Sequence, residues 1–353
     1  MNVSDCLPGV WAQADPDHLL LKNYRPRAIY KIPVTTISKA KYPVIDMHSH
    51  PYAKTEEQIR QWVANMDDVG IQKTTILTKL TGSAFDQVFK MYSVFPGRFE
   101  LWCGFDFSKY DSPAFAASAI GELERCHRQG AKGVGELSDK GEGFSFGSGF
   151  ARGLHADDPR MDPIFEKCAD LGMPINIHIA EPQWMYEPMD AQNDGLMNAY
   201  IWRRDNKKNI LGHDALIASL EAAVRKHPRT TFIACHFANL ETSLDELGKL
   251  LDTYPNLYAD ISARYGETAP IPRYMSVFYS RYNNKLLYGT DMGFEKQMYR
   301  NTFRILETLD EHFYDEEYGY HWPLSGFGLS NDILKRLYRE NALQVLESHS
   351  TAK

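Results

Sequence analysis

The stretch Pro174-Ile175-Asn176-Ile177-His178-Ile179 (174–179) places isoleucine at every second position, with polar groups between. Residues two apart in a strand share a face, so Ile175, Ile177 and Ile179 form one apolar face. That face should meet helices, and His178 then points into the interior of a closed sheet. Seven further β-rich runs resemble it in length: VIDMH (44–48), KTTILT (73–78), FELWCGF (99–105), KGVGEL (132–137), TTFIACHF (230–237), NLYADIS (256–262) and KLLYGTDM (285–292). Between them lie segments with apolar residues spaced by three and four, the mark of helices. TEEQIRQWVANMDDVG (55–70) is the clearest, with a threonine cap, early glutamates and a glycine stop.

Eight strands alternating with helices predict a parallel sheet, and eight is the number that closes a (β/α)₈ TIM barrel. An open doubly wound sheet would expect a glycine-rich phosphate turn after an early strand, and no G-x-G-x-x-G follows any of the first three runs. The glycine-rich GEGFSFGSG (141–149) reads as a surface loop. Residues 1–43 are polar and proline-spotted and read as an N-terminal arm, with 44–350 as one catalytic barrel. The connections 138–162 and 180–212 are too long for simple turns. Loops that follow barrel strands sit on the catalytic face, so both should wall a pocket. The tail 329–348 reads as a terminal helix.

Composition narrows the function. The 353 residues are 43% hydrophobic and 24% charged, the balance of a globular chain. Lys and Arg number 39 against 46 Asp and Glu, a net charge of −7 that argues against a nucleic-acid footprint. No apolar run approaches the roughly 20 residues of a membrane span. The N-terminus does not read as a signal peptide, although a removed leader would leave the same sequence. Five scattered cysteines, never in C-x-x-C spacing, read as small buried hydrophobes of a reducing, cytoplasmic compartment. The expected partner is a small molecule, with a homo-oligomer left open.

The chemistry is written at strand ends. Asp46, His48 and His50 alternate at the end of the first strand, and two imidazoles on one face can grip one metal ion. His178 faces inward. Ile233, Cys235 and Phe237 are expected on the outer face of their strand, which turns His236 inward. Asp291 closes the last strand. A lone strand-end histidine is more often structural, by about three to one, and an aspartate before a turn is usually a cap. Five inward polar groups at one end of four strands would need five such coincidences and leave buried polar groups to satisfy. Imidazole with carboxylate suits zinc, with manganese, iron or nickel as alternatives and one or two ions held. Glu136 lies near the top of the fourth strand as an extra ligand, whereas Lys132 lies too far down to bridge ions. Arg264 follows the seventh strand in the inward register of Asp260 and Ser262. Arg203, Arg204, Trp184, Trp202 and His213 sit in or beside the long loop after the fifth strand; of these, Arg203, Trp184 and His213 join Arg264 as candidate substrate contacts, although loop arginines are usually solvated and loop tryptophans usually pack.

VIDMHSH, INIHIAEP, IACHFAN and LYGTDM together resemble the amidohydrolase superfamily, in its amidohydrolase-related branch, and the likeness runs over about residues 44–347. The resemblance implies a distorted barrel and a divalent metal held by His48, His50 and His178. It further implies Asp291 as ligand and proton acceptor, and His236 beside the metal, either as a second-metal ligand or as an electrophile. The fourth strand departs from the pattern, because many superfamily hydrolases carry a carboxylated lysine where this chain has Glu136. The expected activity is metal-dependent hydrolysis of a C–N or C–O bond in a small polar substrate: a cyclic amide, lactone or ester. The alternative is a metal-dependent decarboxylase of the same branch, followed by a non-catalytic ligand-binding barrel.

Overall fold

A computed structural model describes residues 16–315 and 318–347. Eight parallel strands run in chain order: β1 (Val44–Ser49), β2 (Ile71–Leu77), β3 (Phe99–Trp102), β4 (Val134–Asp139), β5 (Ile175–Ile179), β6 (Phe232–Ala234), β7 (Leu257–Asp260) and β8 (Leu286–Leu287). Regular ladders join β1 to β2 to β3, and β4 through β8 in sequence. Two seams complete the ring. Cys103 bridges to Val134 in parallel, with Gly135 N donating to Cys103 O at 2.8 Å. Met47 N donates to Tyr288 O at 2.9 Å and Thr290 N to His48 O at 3.1 Å, which brings β8 back against β1. The result is the TIM barrel that the strand count predicted.

The helices form where capping and periodicity said they would. In Glu56–Val69 the Thr55 side chain accepts from Gln58 N, and Gly70 ends the helix at φ 91°, a conformation that suits glycine. Its inner face buries Ile59, Trp62, Met66 and Val69. Ile175, Ile177 and Ile179 pack with the helices, as their alternation implied. A separate cluster inside the ring holds Ile45, Met47, Leu77, Trp102, Ile233 and Leu287, and Ala342 and Val345 of the C-terminal helix (Asn341–Glu347) close it from below. That plug is apolar, so polar groups have room only at the opposite end.

One expectation changes. The 141–149 segment is no plain surface loop: Ser145–Phe146 pairs antiparallel with Gly149–Phe150, and Phe144 is wholly buried. Residues 16–43 are mostly irregular and are tied down by side chains, with Thr35 N and Oγ1 donating to Asp310 at 2.9 and 2.6 Å and Lys41 N donating to Glu307 Oε1 at 3.0 Å. Cys103, Cys126, Cys168 and Cys235 are buried and free; Cys6 lies outside the described residues. Among the described residues no helix is long and apolar enough to cross a membrane.

Candidate active site

The strands end in strained backbone. Lys79 after β2, Ala180 after β5, His236–Asn239 after β6, Ala263 after β7 and Asp291 after β8 all have φ between 54° and 67°. This left-handed region is costly for residues with a Cβ, and such outliers persist where the surroundings hold them. Here they turn side chains over the mouth of the barrel.

Three histidines converge there, each fixed through Nδ1. His48 Nδ1 lies 2.9 Å from Asp260 Oδ2, His50 Nδ1 2.8 Å from Leu77 O, and His236 Nδ1 2.9 Å from Ser262 O. A carbonyl only accepts, so Nδ1 of His50 and His236 donates and Nε2 keeps its lone pair. Asp260 accepts from His48 Nδ1 in turn, which leaves Nε2 as the nitrogen aimed into the site. A carboxylate or carbonyl behind an imidazole is the arrangement that orients metal-binding histidines. Gly289 permits it, because a Cβ there would stand 2.7 Å from His48 Cβ.

Asp291 faces these rings. Its Oδ1 is 3.2 Å from His50 Nε2 and 3.8 Å from His48 Nε2, and its Oδ2 is 3.8 Å from His236 Nε2. Tyr52 OH donates to Asp291 Oδ1 at 2.9 Å. Glu136 stands opposite, 3.6 Å from both His50 Nε2 and His236 Nε2, and takes an ion pair from Lys79 Nζ. Lys79 is itself held by Gly104, where a Cβ would come within 2.4 Å of Lys79 O.

The titration of this cluster follows from crowding. Burial pushes His48 down, but Asp260, Asp291 and Glu136 outweigh it and raise it to about 9. Burial and the neighbouring His178 charge lower His236 to about 4, so its ring is neutral near pH 7. Asp291 is lowered despite burial because His48 and His50 are beside it, and Glu136 is lowered despite burial by His178, His236 and Lys79.

The donors fit a divalent ion. His48, His50 and Asp291 offer ligand atoms that all lie within 4.8 Å of one another. His48 Nε2 is fully buried and has no hydrogen-bond partner, a costly state that a coordinated ion would relieve.

The remaining expected residues divide. His178 is beside the group and not within it: its Nδ1 lies 2.5 Å from Glu136 Oε1, and its Nε2 is 3.6 Å from Glu181. Asp46 turns away, bonding Thr290 Oγ1 at 2.7 Å, because the register slips between Asp46 and Ser49. Cys235 is not on the outer face. Ile233 joins the interior plug, and the left-handed run that starts at His236 brings the sulfur and the imidazole to the same side.

A cleft of about 320 Å³ opens over the group, lined by His50, Lys79, Glu136, Ser138, Lys140, Ser145, Phe150, His178 and Asp291. None of the four expected substrate contacts lines it. Arg264 is buried, donating to Asn239 Oδ1 at 2.5 Å and lying 3.1 Å from Glu267. Arg203 grips Asp205, His213 Nε2 donates to Asn239 O at 2.9 Å, and Trp184 packs on Gly195 and Trp322. The cleft instead takes Ser145 and Phe150 from the hairpin after β4, and Lys79 and Lys140 from two strand ends. Sequence reasoning passed over both lysines, although each follows a strand directly, the same signal that marked His50 and Asp291.

Barrel, rim and histidine–carboxylate cluster define a metal-dependent enzyme class. The chain matches the amidohydrolase family over residues 105–347, and it belongs to that family as an enzyme of the amidohydrolase superfamily. No curated protein matches it. Among solved structures it is similar to the TIM-barrel protein Bb4693 of Bordetella bronchiseptica, at 14% identity and a TM-score of 0.55 over 87% of this chain and 99% of that one. A 5-carboxyvanillate decarboxylase from Novosphingobium aromaticivorans, complexed with manganese, aligns at 14% identity and a TM-score of 0.54 over 89% and 100%. The 4-oxalomesaconate hydratase of Rhodopseudomonas palustris aligns at 15% identity and 0.52 over 88% and 97%. At these identities the likeness is one of fold.

Proposed function

We propose that the protein is a metal-dependent hydrolase that cleaves a C–N or C–O bond of a small polar substrate. The observation that carries this reading is the lining of the cleft, where Phe150 is the one apolar side chain among nine. His48, His50 and Asp291 would hold the ion, with Glu136 next to them and His178 supporting Glu136. A divalent ion in such a site lowers the pKa of water and polarises a substrate oxygen. Asp291 is the proton acceptor, since its carboxylate is ionised and Tyr52 holds its orientation. After bond cleavage it returns the proton to the leaving group. Neutral His236 donates no proton from Nε2 in the tautomer described, so its part is to shape the site beside Asp291 and accept a hydrogen bond from substrate. Lys79 and Lys140 point charge at the cleft and would orient an anionic or carbonyl oxygen.

The same two lysines favour a second reading, decarboxylation, because a carboxylate would suit them. The manganese-bound decarboxylase of similar fold supports it, and manganese stands beside zinc as the candidate ion. One experiment separates the readings: metal-loaded protein is offered panels of lactones, cyclic amides, esters and aromatic acids, with acid release and CO₂ followed together. Acid without CO₂ from the first three panels is expected. CO₂ from an aromatic acid alone would replace hydrolysis with decarboxylation, and silence on every panel would count against both.

A further inference from the structure

Below the cleft a second set of donors meets. Cys235 Sγ, His236, Glu136 and His48 each offer an atom within 4.8 Å of the others, and all four side chains are buried. The other described cysteines have ordinary settings: Cys126 Sγ lies 3.2 Å from Glu122 Oε1, Cys103 Sγ is 3.7 Å from Gly133 O, and Cys168 sits in the apolar core. Cys235 differs. Its Sγ donates to Asn176 Oδ1 at 2.8 Å, and Asn176 Nδ2 donates in turn to Asp260 Oδ2, the carboxylate behind His48. The sulfur is thus fixed within 4.8 Å of a His48 ring nitrogen, and His48 Nε2 has no hydrogen-bond partner.

We propose that Cys235 is a metal ligand, forming with His236, Glu136 and His48 a deeper position that takes thiophilic divalent ions such as zinc, cobalt or cadmium. The proposal rests on the reading that this site binds a divalent ion. His48 has one nitrogen left to coordinate an ion, because Nδ1 is committed to Asp260. The deep position and the His48–His50–Asp291 position therefore compete for Nε2, and the nature of the ion decides between them. Thiolate selects soft ions, whereas carboxylate and imidazole accept harder manganese. On coordination the thiol releases its proton to solvent and donates a sulfur lone pair to the ion; nothing is oxidised or reduced.

The test strips the full chain with a chelator, reloads it with Co²⁺ and records the absorption spectrum. A sulfur-to-cobalt charge-transfer band in the near ultraviolet is expected, retained in Cys168→Ala and lost in Cys235→Ser. Zinc affinity should fall about tenfold or more in Cys235→Ser while manganese affinity stays within about twofold. Bound cobalt without the sulfur band overturns the proposal and leaves the metal site standing. A band that survives Cys235→Ser assigns the sulfur to another cysteine and also overturns it. Wild-type chain that binds no cobalt removes the deep position together with the metal-dependent reading.

Discussion

At Asp291 two groups meet one carboxylate oxygen, since Tyr52 donates to Oδ1 and His50 Nε2 lies 3.2 Å from the same atom. If the group carries the proton, Asp291→Asn keeps the shape and loses the base. The expected result is a fall in kcat of about a hundredfold or more with little change in KM. Metal content is measured in the same sample, and near-normal turnover would remove the role. His48→Ala should lose most of the ion, because its Nε2 is a buried atom of the His48–His50–Asp291 group with no hydrogen-bond partner; full occupancy by mass spectrometry would refute that ligand. Lys79→Met is expected to raise KM roughly tenfold and spare the ion, since Lys79 touches Glu136 and the cleft but is no ligand. An unchanged KM would show that substrate does not reach it. His48, His50, His236 and Asp291 were legible because each is a donor at a strand end. Tyr52 was not, because its value comes from a contact with a residue 239 positions away, which no local pattern encodes.

Element boundaries explain where the alternation misled. Period-two reasoning holds for β5, whose isoleucines do pack against helices. In β6 the faces are exchanged, with Ile233 opposite inward-facing Asn176 and in the interior plug while Phe232 and Ala234 pack outside it, and beyond Cys235 four residues from His236 adopt φ of 54–60°. Such a run is improbable for His, Phe, Ala and Asn, and nothing in IACHFAN advertises it. The loop after β4 lines the cleft with Ser145 and Phe150, whereas the candidates around the loop after β5 contact Asp205, Asn239, Gly195 and Trp322 instead. The former is stapled by Asp139, which accepts from Gly141 N and Gly143 N and lies 2.7 Å from His155 Nδ1. The hydrogen bond to Asp139 raises the His155 pKa above its ordinary 6.5. A raised folded value means the pair contributes fully below the unfolded pKa and is lost as pH rises through the folded one. Proteolytic nicking within 141–160 should therefore increase as pH climbs above the ordinary histidine range. His155→Gln should flatten the dependence, and a pH-independent wild type would sink the assignment.

For the molecule as a whole, stability and site share a wall. Trp62 is fully buried, donates from Nε1 to Tyr299 OH at 3.0 Å, stacks on Phe294 and backs Tyr52. Trp62→Ala should cost about 3–5 kcal/mol in denaturant unfolding. It should also lower kcat by freeing Tyr52; a loss under about 1 kcal/mol would show that the wall collapses to fill the gap. Barrel class was readable because strand count and order are local facts summed along the chain. The way the ring closes was not readable, since β8 has two ladder residues and relies on isolated bonds from Met47 and Thr290.

The apolar plug has a consequence for how the chain is made. Ile45 and Met47, near the start, share one cluster with Leu287, Ala342 and Val345, near the end. During synthesis the first strand therefore leaves the ribosome long before its cover exists, and its apolar side chains stay exposed to wrong partners until Ala342 and Val345 have been made. Nascent chains arrested before residue 335 should hold β1 open to protease, while chains extended past 347 protect it. The inside of the barrel therefore stays uncovered until the helix Asn341–Glu347 has been made.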